Sequence, residues 1–115
     1  MRNGLIITEN GTKSWYQNNL LHQTDGPAIE FADGDKEWYQ NGELHRIDGP
    51  AIEYPNGNHF WYQNNQLHRT DGPAVEYTDG ERYWYIKGIR YSFDKWLEHT
   101  DYTEAQKTLM RLQYA

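Results

Sequence analysis

The sequence repeats itself every 23 residues. Trp15, Trp38, Trp61 and Trp84 stand at that spacing, and so do Tyr16, Tyr39, Tyr62 and Tyr85. His22, His45 and His68 keep the same period, as do Asp25, Asp48 and Asp71. Asp25-Gly26-Pro27-Ala28 recurs unchanged as Asp48-Gly49-Pro50-Ala51 and as Asp71-Gly72-Pro73-Ala74. The unit reads W-Y-Q-N-[NG]-x-L-H-x-x-D-G-P-A-[IV]-E-[FY]-x-[DN]-G, and about three and a half copies fill the array. A period of this size means one supersecondary unit stacked on copies of itself. The fold is therefore set by what one unit does and how it meets the next.

Each unit holds two tight-turn signals. One is Asn10-Gly11, Asp33-Gly34, Asn56-Gly57 and Asp79-Gly80; the other is Asn18-Asn19, Asn41-Gly42, Asn64-Asn65 and Lys87-Gly88. A two-residue type I′ hairpin needs positive φ at both central residues, which Asn, Asp and Gly tolerate best. The pattern predicts strands on either side of both turns, hence an antiparallel meander. Counting outward from Asp33-Gly34 as a two-residue loop sets Phe31 against Lys36, Glu30 against Glu37, Ile29 against Trp38 and Ala28 against Tyr39. The same count pairs Ile6 with Trp15, Ile52 with Trp61 and Val75 with Trp84. From the second turn, Tyr39 falls opposite Leu44 and Trp38 opposite His45. One face is thus expected to carry Ile–Trp–His rows and the other Ala–Tyr–Leu rows. Asp-Gly-Pro reads as the corner between hairpins, because proline cannot donate to a ladder and glycine permits a bend.

The pattern decays after Trp84. Ile86 replaces Gln, Tyr91 replaces His, and no Gly-Pro follows. Ser92 suits the N-cap of a short helix over Phe93 to Glu98. Asp101 with Glu104, and Thr103 with Gln106, both fit a capping box. A second helix is expected over Glu104 to Gln113, with Ala105, Leu109 and Leu112 on its apolar side. The predicted fold is mainly β: an antiparallel β-hairpin repeat array over residues 1–91, closed by a short C-terminal helical cap over 92–115, in a single domain. Repeat arrays need an atypical terminal unit to protect the last sheet edge.

Composition narrows the functional classes. Among 115 residues the formal net charge is −6, which argues against direct nucleic-acid binding through phosphate contacts. There is no cysteine, so disulfides and thiolate metal sites are excluded. Mean hydropathy is only −1.08, a value usual for disorder. Aromatic residues at 16% offset it, since Trp and Tyr score low on hydropathy scales yet bury large areas. The apolar run Leu5-Ile6-Ile7 near the N-terminus is too short for a signal peptide or a membrane span, so a cytoplasmic location with no membrane contact is expected.

The repeated histidines invite a metal reading. Equivalent positions in successive repeats lie two strands apart, about 10 Å at ~4.8 Å per strand, whereas ligating imidazoles sit within ~2.1 Å of one ion. The ladder cannot share a metal, and His45 with Asp48 offers at most a weak pair. A histidine stacked beside Trp and hydrogen-bonded to a turn explains the residue without an ion. His followed by Asp three residues on also resembles an acid–base pair. It recurs in three equivalent settings, however, whereas catalysis needs one tuned site. No serine or cysteine repeats as a nucleophile, and no phosphate-cradling loop appears. Neither enzyme activity, a metal nor a cofactor is expected. Glu30, Glu53 and Glu76 form an acidic row that reads as a solvated face, as a surface for a basic patch on a partner, or as the counterpart of Arg46 and Arg69, which sit between the rows. Regularly spaced Trp, Tyr, His and Arg are the types enriched at binding hot spots. Trp38, His45, Arg46, Trp61, His68 and Arg69 are therefore the candidate partner-binding residues.

Trp38-Tyr39-Gln40-Asn41-Gly42-Glu43-Leu44-His45, Asp48-Gly49-Pro50-Ala51 and Glu53-Tyr54-Pro55-Asn56-Gly57 together resemble the MORN-like repeat of tailed phages and giant viruses, a repeat related to bacterial MORN-like antitoxins. The likeness spans nearly the whole chain. The sequence departs from the true MORN repeat by inserting Asp-Gly-Pro where that repeat has a simpler Gly-x-Gly. The ending Tyr91-Ser92-Phe93-Asp94-Lys95-Trp96-Leu97 also looks like endings on phage copies. The resemblance implies a phage-encoded binding module, and small phage-encoded binders often neutralise host defence proteins.

Two functions from different classes follow as expectations. The first is a non-catalytic module that binds and inhibits a host protein, such as a defence or toxin component. The alternative is a small-ligand binder, a sponge for a nucleotide signal or a sugar, using the aromatic, His and Arg face. A structural part with no discrete site is the plain third reading. The N-terminal half-unit, Leu5 to Gly11, is expected to leave an open strand edge through which a homodimer could form.

Overall fold

The computed structural model describes residues 2–114. Within them lie fourteen short strands followed by two helices. In chain order the strands are β1 (Gly4–Ile7), β2 (Lys13–Gln17), β3 (Leu20–Leu21), β4 (Ile29–Glu30), β5 (Lys36–Glu37), β6 (Tyr39–Gln40) and β7 (Glu43–Leu44). They continue as β8 (Ile52–Glu53), β9 (His59–Phe60), β10 (Tyr62–Gln63), β11 (Gln66–Leu67), β12 (Val75–Glu76), β13 (Arg82–Ile86) and β14 (Ile89–Tyr91). The helices are α1 (Phe93–Glu98) and α2 (Glu104–Tyr114). The main sheet runs β1-β2-β4-β5-β8-β9-β12-β13-β14, all antiparallel neighbours, with β3 branching from β2. The ribbons β6–β7 and β10–β11 extend from it as separate two-stranded pairs. The architecture is the β-hairpin meander with a helical cap that the period predicts.

The second turn of each unit follows expectation. Asn18 and Asn19, Asn41 and Gly42, Asn64 and Asn65, and Lys87 and Gly88 all have positive φ, as type I′ requires. Tyr39 accordingly pairs with Leu44, and the His45 N–H donates to the Trp38 carbonyl at 3.0 Å.

The first turn does not. Only the glycine has positive φ there, for example +98° at Gly34, while Asp33 does not. The loop is three residues long, Ala32-Asp33-Gly34, closed by Gly34 N–H to the Phe31 carbonyl and Phe31 N–H to the Asp35 carbonyl, each 2.9 Å. Asp33 is present because its carboxylate accepts the Asp35 N–H at 3.1 Å; Asn56 and Asp79 act likewise on Asn58 and Glu81 at 3.0 and 2.9 Å. The extra residue slips the register by one. Ile29 faces Glu37 rather than Trp38, Ile52 faces Phe60 rather than Trp61, and Val75 faces Tyr83 rather than Trp84. Ile6 faces Ser14, and Trp15 faces Leu5. Electrostatics favours the slip: the like-charged Glu30–Glu37 pair is replaced by Glu30 opposite Lys36. A one-residue slip turns side chains to the other face. Isoleucine and alanine exchange places, so one face carries Ile, Phe and Tyr and the other carries Ala, Trp, His and Arg.

Burial is uneven. Ala28, Ala51 and Ala74 are wholly buried. The Trp38 N–H donates to the Ala51 carbonyl at 2.7 Å, and the Ala51 N–H donates to the Phe60 carbonyl at 2.8 Å. The largest buried side chains, Trp96 and Leu97, pack with Trp84 under the cap. Ser92 caps α1 by accepting the Lys95 N–H at 3.3 Å. Of the two candidate capping boxes, Thr103 and Gln106 form the reciprocal pair, at 2.8 and 3.2 Å. The apolar side expected for α2 is corrected: Leu109 and Leu112 are 66% and 79% exposed. Met110 and Tyr114, with Tyr102 before the helix, pack against the Trp84 cluster instead, because the aromatic end of the array is what the cap covers. The radius of gyration is 16.2 Å, against about 13 Å for a compact domain of this length, so the array is elongated. Among the described residues no helix is long and apolar enough to cross a membrane.

Candidate interaction surface

Repeats are numbered here by their tryptophans, from Trp15 to Trp84. The six candidate residues fall into two equivalent groups on one face. In repeat 2 the Arg46 guanidinium carbon lies 3.9 Å from the centre of a Trp38 ring. Its Nε donates to Asp48 at 3.2 Å, and its Nη1 donates to the Pro50 carbonyl and to Glu53, both at 3.0 Å. In repeat 3 Arg69 lies 3.8 Å from Trp61 and donates to Asp71, the Pro73 carbonyl and Glu76 at 2.6, 3.0 and 2.7 Å. A planar guanidinium satisfies both a ring face and a fork of acceptors, which an ammonium cannot do. Arg46 and Arg69 thus pair with the acidic row, as their spacing suggests.

The histidines are also engaged. Nδ1 of His22, His45 and His68 accepts the backbone N–H of Asn41, Asn64 and Lys87, at 3.0, 3.1 and 2.9 Å. Each bond joins one repeat to the second turn of the next. The neighbouring turn residue donates alongside: Gly42 to the Leu21 carbonyl, Asn65 to Leu44 and Gly88 to Leu67, each at 2.9 Å. Burial, and then the Lys87 charge, lower the pKa of His68 from its ordinary 6.5. Among the described residues no three His, Asp or Glu side chains converge as metal ligands.

Trp38, His45 and Arg46 line an open cleft of about 440 Å³ against Gln23, Asp25 and Pro27 of repeat 1. Trp61, His68 and Arg69 line a smaller one of about 180 Å³. The corresponding place in repeat 4 is filled by the chain itself. Phe93 and Trp96 pack tilted against Trp84, with ring centroids 4.7 and 4.6 Å away, and Trp96 Nε1 donates to the Arg69 carbonyl at 2.9 Å. Ile86 and Tyr91, where earlier repeats have Gln and His, pack against this cluster.

The opposite face holds a feature that the residue counting missed. Tyr54, Phe60, Tyr77 and Tyr83 form a row of edge-to-face rings with centroids 5.7, 5.8 and 6.0 Å apart. Tyr77, and Phe31 at the equivalent position two repeats earlier, are each more than a third exposed. Phe60, Tyr62, Tyr83, Tyr85 and Arg90 line a shallow depression of about 300 Å³ along the row. Burial raises the pKa of Tyr62 and of Tyr39, and the Tyr39 hydroxyl also donates to Glu37 at 2.8 Å. The signal was present in the aromatic residues flanking the first turn, but the assumed two-residue loop scattered them over both faces. The chain matches no protein-family model, no curated protein and no solved structure.

Proposed function

We propose that this chain is a non-catalytic interaction module that binds a host protein, a defence or toxin component, in the anti-defence or antitoxin manner implied by its resemblance to phage-encoded MORN-like repeats. The observation that supports binding is the partly exposed row Tyr54–Phe60–Tyr77–Tyr83, whose rings hold one another edge to face. Fixed aromatic rings offer large contact area with little entropy left to lose. Trp38, His45, Arg46, Trp61, His68 and Arg69 contribute differently. Arg46, Arg69, His45 and His68 are already bonded within the array, so they shape the clefts more than they reach outward. The setting proposed is the host cytoplasm.

A small-ligand sponge is the second reading, favoured by the cleft of about 440 Å³ beside Trp38 and Arg46, a size within the range of ligand pockets. Affinity capture from lysate of a defence-rich bacterium, by the tagged chain and by its Tyr77→Ser variant, separates the two. The expected result is one host protein retained by the parent chain, at least ten-fold depleted with the variant, and bound again when both partners are purified. A retained nucleotide or sugar without a protein would transfer the function to the cleft. The proposal includes self-association through β1, whose outer edge no described strand pairs. Light scattering would then read twice 13.7 kDa at high micromolar concentration. A monomeric mass throughout removes that part.

A further inference from the structure

We propose that repeat 1 carries a binding site for a guanidinium group, and that an arginine side chain of a partner occupies it. Repeats 2 and 3 show what the site looks like when filled. Each sets a guanidinium on a Trp face, at 3.9 and 3.8 Å, and surrounds it with an Asp, a Pro carbonyl and a Glu. Repeat 1 has all four of these partners: Trp15, Asp25, the Pro27 carbonyl and Glu30. The arginine is missing, because Gln23 stands where Arg46 and Arg69 stand.

The backbone frame is the same in the three repeats. The Trp N–H donates to the Ala28, Ala51 and Ala74 carbonyls at 2.8, 2.7 and 2.7 Å. The N–H of Gln23, Arg46 and Arg69 donates to Tyr39, Tyr62 and Tyr85 at 3.2, 3.0 and 3.1 Å. Gln23 does not replace the missing group. Among the described residues its side chain makes no hydrogen bond, no cation stacks on Trp15, and neither Asp25 nor Glu30 has an ion-pair partner. Lys13 and Lys36 stand opposite Glu30 in the sheet without forming an ion pair with it.

The glycines locate the open space. A Cβ on Gly49 would lie 2.6 Å from the Arg46 guanidinium carbon, and one on Gly72 would lie 2.6 Å from that of Arg69. A Cβ on Gly26 would meet nothing within 4 Å. None of the three has positive φ, so at Gly49 and Gly72 it is the guanidinium, not the backbone, that requires glycine. Gly49, Pro50, Gly72 and Pro73 are buried, whereas Gly26 and Pro27 are only half-buried. The ring, the two carboxylates and the carbonyl would select a guanidinium over an ammonium, since only the planar group can stack and fork at once.

The test is an NMR titration of the full ¹⁵N-labelled chain with N-acetyl-arginine amide, its lysine counterpart and free arginine. The expected result is saturable shifts at the Trp15 indole and the Gly26 and Glu30 amides, with the lysine amide at least ten-fold weaker. Gly26→Ala keeps an unchanged spectrum elsewhere, because space and φ both admit the methyl group, and loses the shifts. Gln23→Arg loses them too and raises the melting temperature by about 4 °C as it fills the site. Equal binding of the lysine amide, no shift at 50 mM probe, or shifts that survive Gly26→Ala would overturn the site. Binding of free arginine but not of the capped amide would overturn a protein as its source. The site is independent of the aromatic row, so Tyr77→Ser leaves this titration unchanged whatever it does to host-protein capture.

Discussion

A histidine that accepts a hydrogen bond at Nδ1 must hold its proton at Nε2, and protonating Nδ1 breaks that bond. His68 is in this position, accepting from Lys87, and burial together with the Lys87 charge holds its pKa below 6.5. The unfolded chain therefore binds a proton more readily than the folded one over the interval below 6.5. Stability from this group is full above the unfolded pKa and is lost as pH falls through that interval to the folded value. Urea melts at pH 7.5, 6.5 and 5.5 are expected to show a falling midpoint, with a shallower fall in His68→Gln. An identical slope in the variant would remove His68 as the cause. At the same scale, the arginine on each tryptophan is held by its ring, its proline carbonyl and its glutamate more than by its aspartate. Asp48 is 89% exposed, and so open an ion pair contributes little.

At the scale of elements, the cap works by replacing an arginine. Repeats 2 and 3 cover their tryptophans with Arg46 and Arg69, and repeat 4 covers Trp84 with Phe93 and Trp96. Trp96 is wholly buried and bonded to the Arg69 carbonyl. Trp96→Ala is expected to cost about 4 kcal/mol in urea denaturation, the range for emptying a buried aromatic site. Leu109→Ala and Leu112→Ala should each stay within about 0.5 kcal/mol, because exposed side chains have little burial to lose. A large loss from either leucine would mean that α2 packs through its other side. The strands are two to five residues long, so their stability comes from the neighbours on either side and from turn-to-turn bonds such as Asn64 N–H to His45.

Over the whole molecule, those neighbour bonds run, among the described residues, into one buried cluster of large side chains. Trp84, Trp96 and Leu97 form the buried cluster near the C-terminus, while Leu5, Ile6 and Ile7 of β1 are all more than a third exposed. A quasi-linear array with one heavy end opens from the light end. Hydrogen exchange is expected to be fastest at β1–β3 and slowest at β12–β14 and α1. Uniform protection along the array would show instead that the sheet opens as one unit.

How much of this was legible in the residues differs from place to place. The 23-residue period gives the meander, because a hairpin that cannot bury its own faces must stack on the next. Asn41-Gly42 and its equivalents give the second turn, because few residues tolerate positive φ. Ser92, and Thr103 with Gln106, mark both helix starts, because capping is local chemistry. The first turn was not legible: Asp33-Gly34 suits a two-residue or a three-residue loop equally. Only neighbouring strands decide between them, by setting Glu30 against Lys36 instead of Glu37. The faces follow from that choice, and with them the aromatic row and the burial of the alanines. The arginines and histidines could be marked by spacing, but whether they reach outward or bond inward depends on the repeat beside them. Gln23 shows both sides of this. The substitution is visible in the residues alone, since it stands out against Arg46 and Arg69. That it leaves a space is visible only once the chain is folded, because the ring, carboxylates and carbonyl that define the space come from segments brought together by folding.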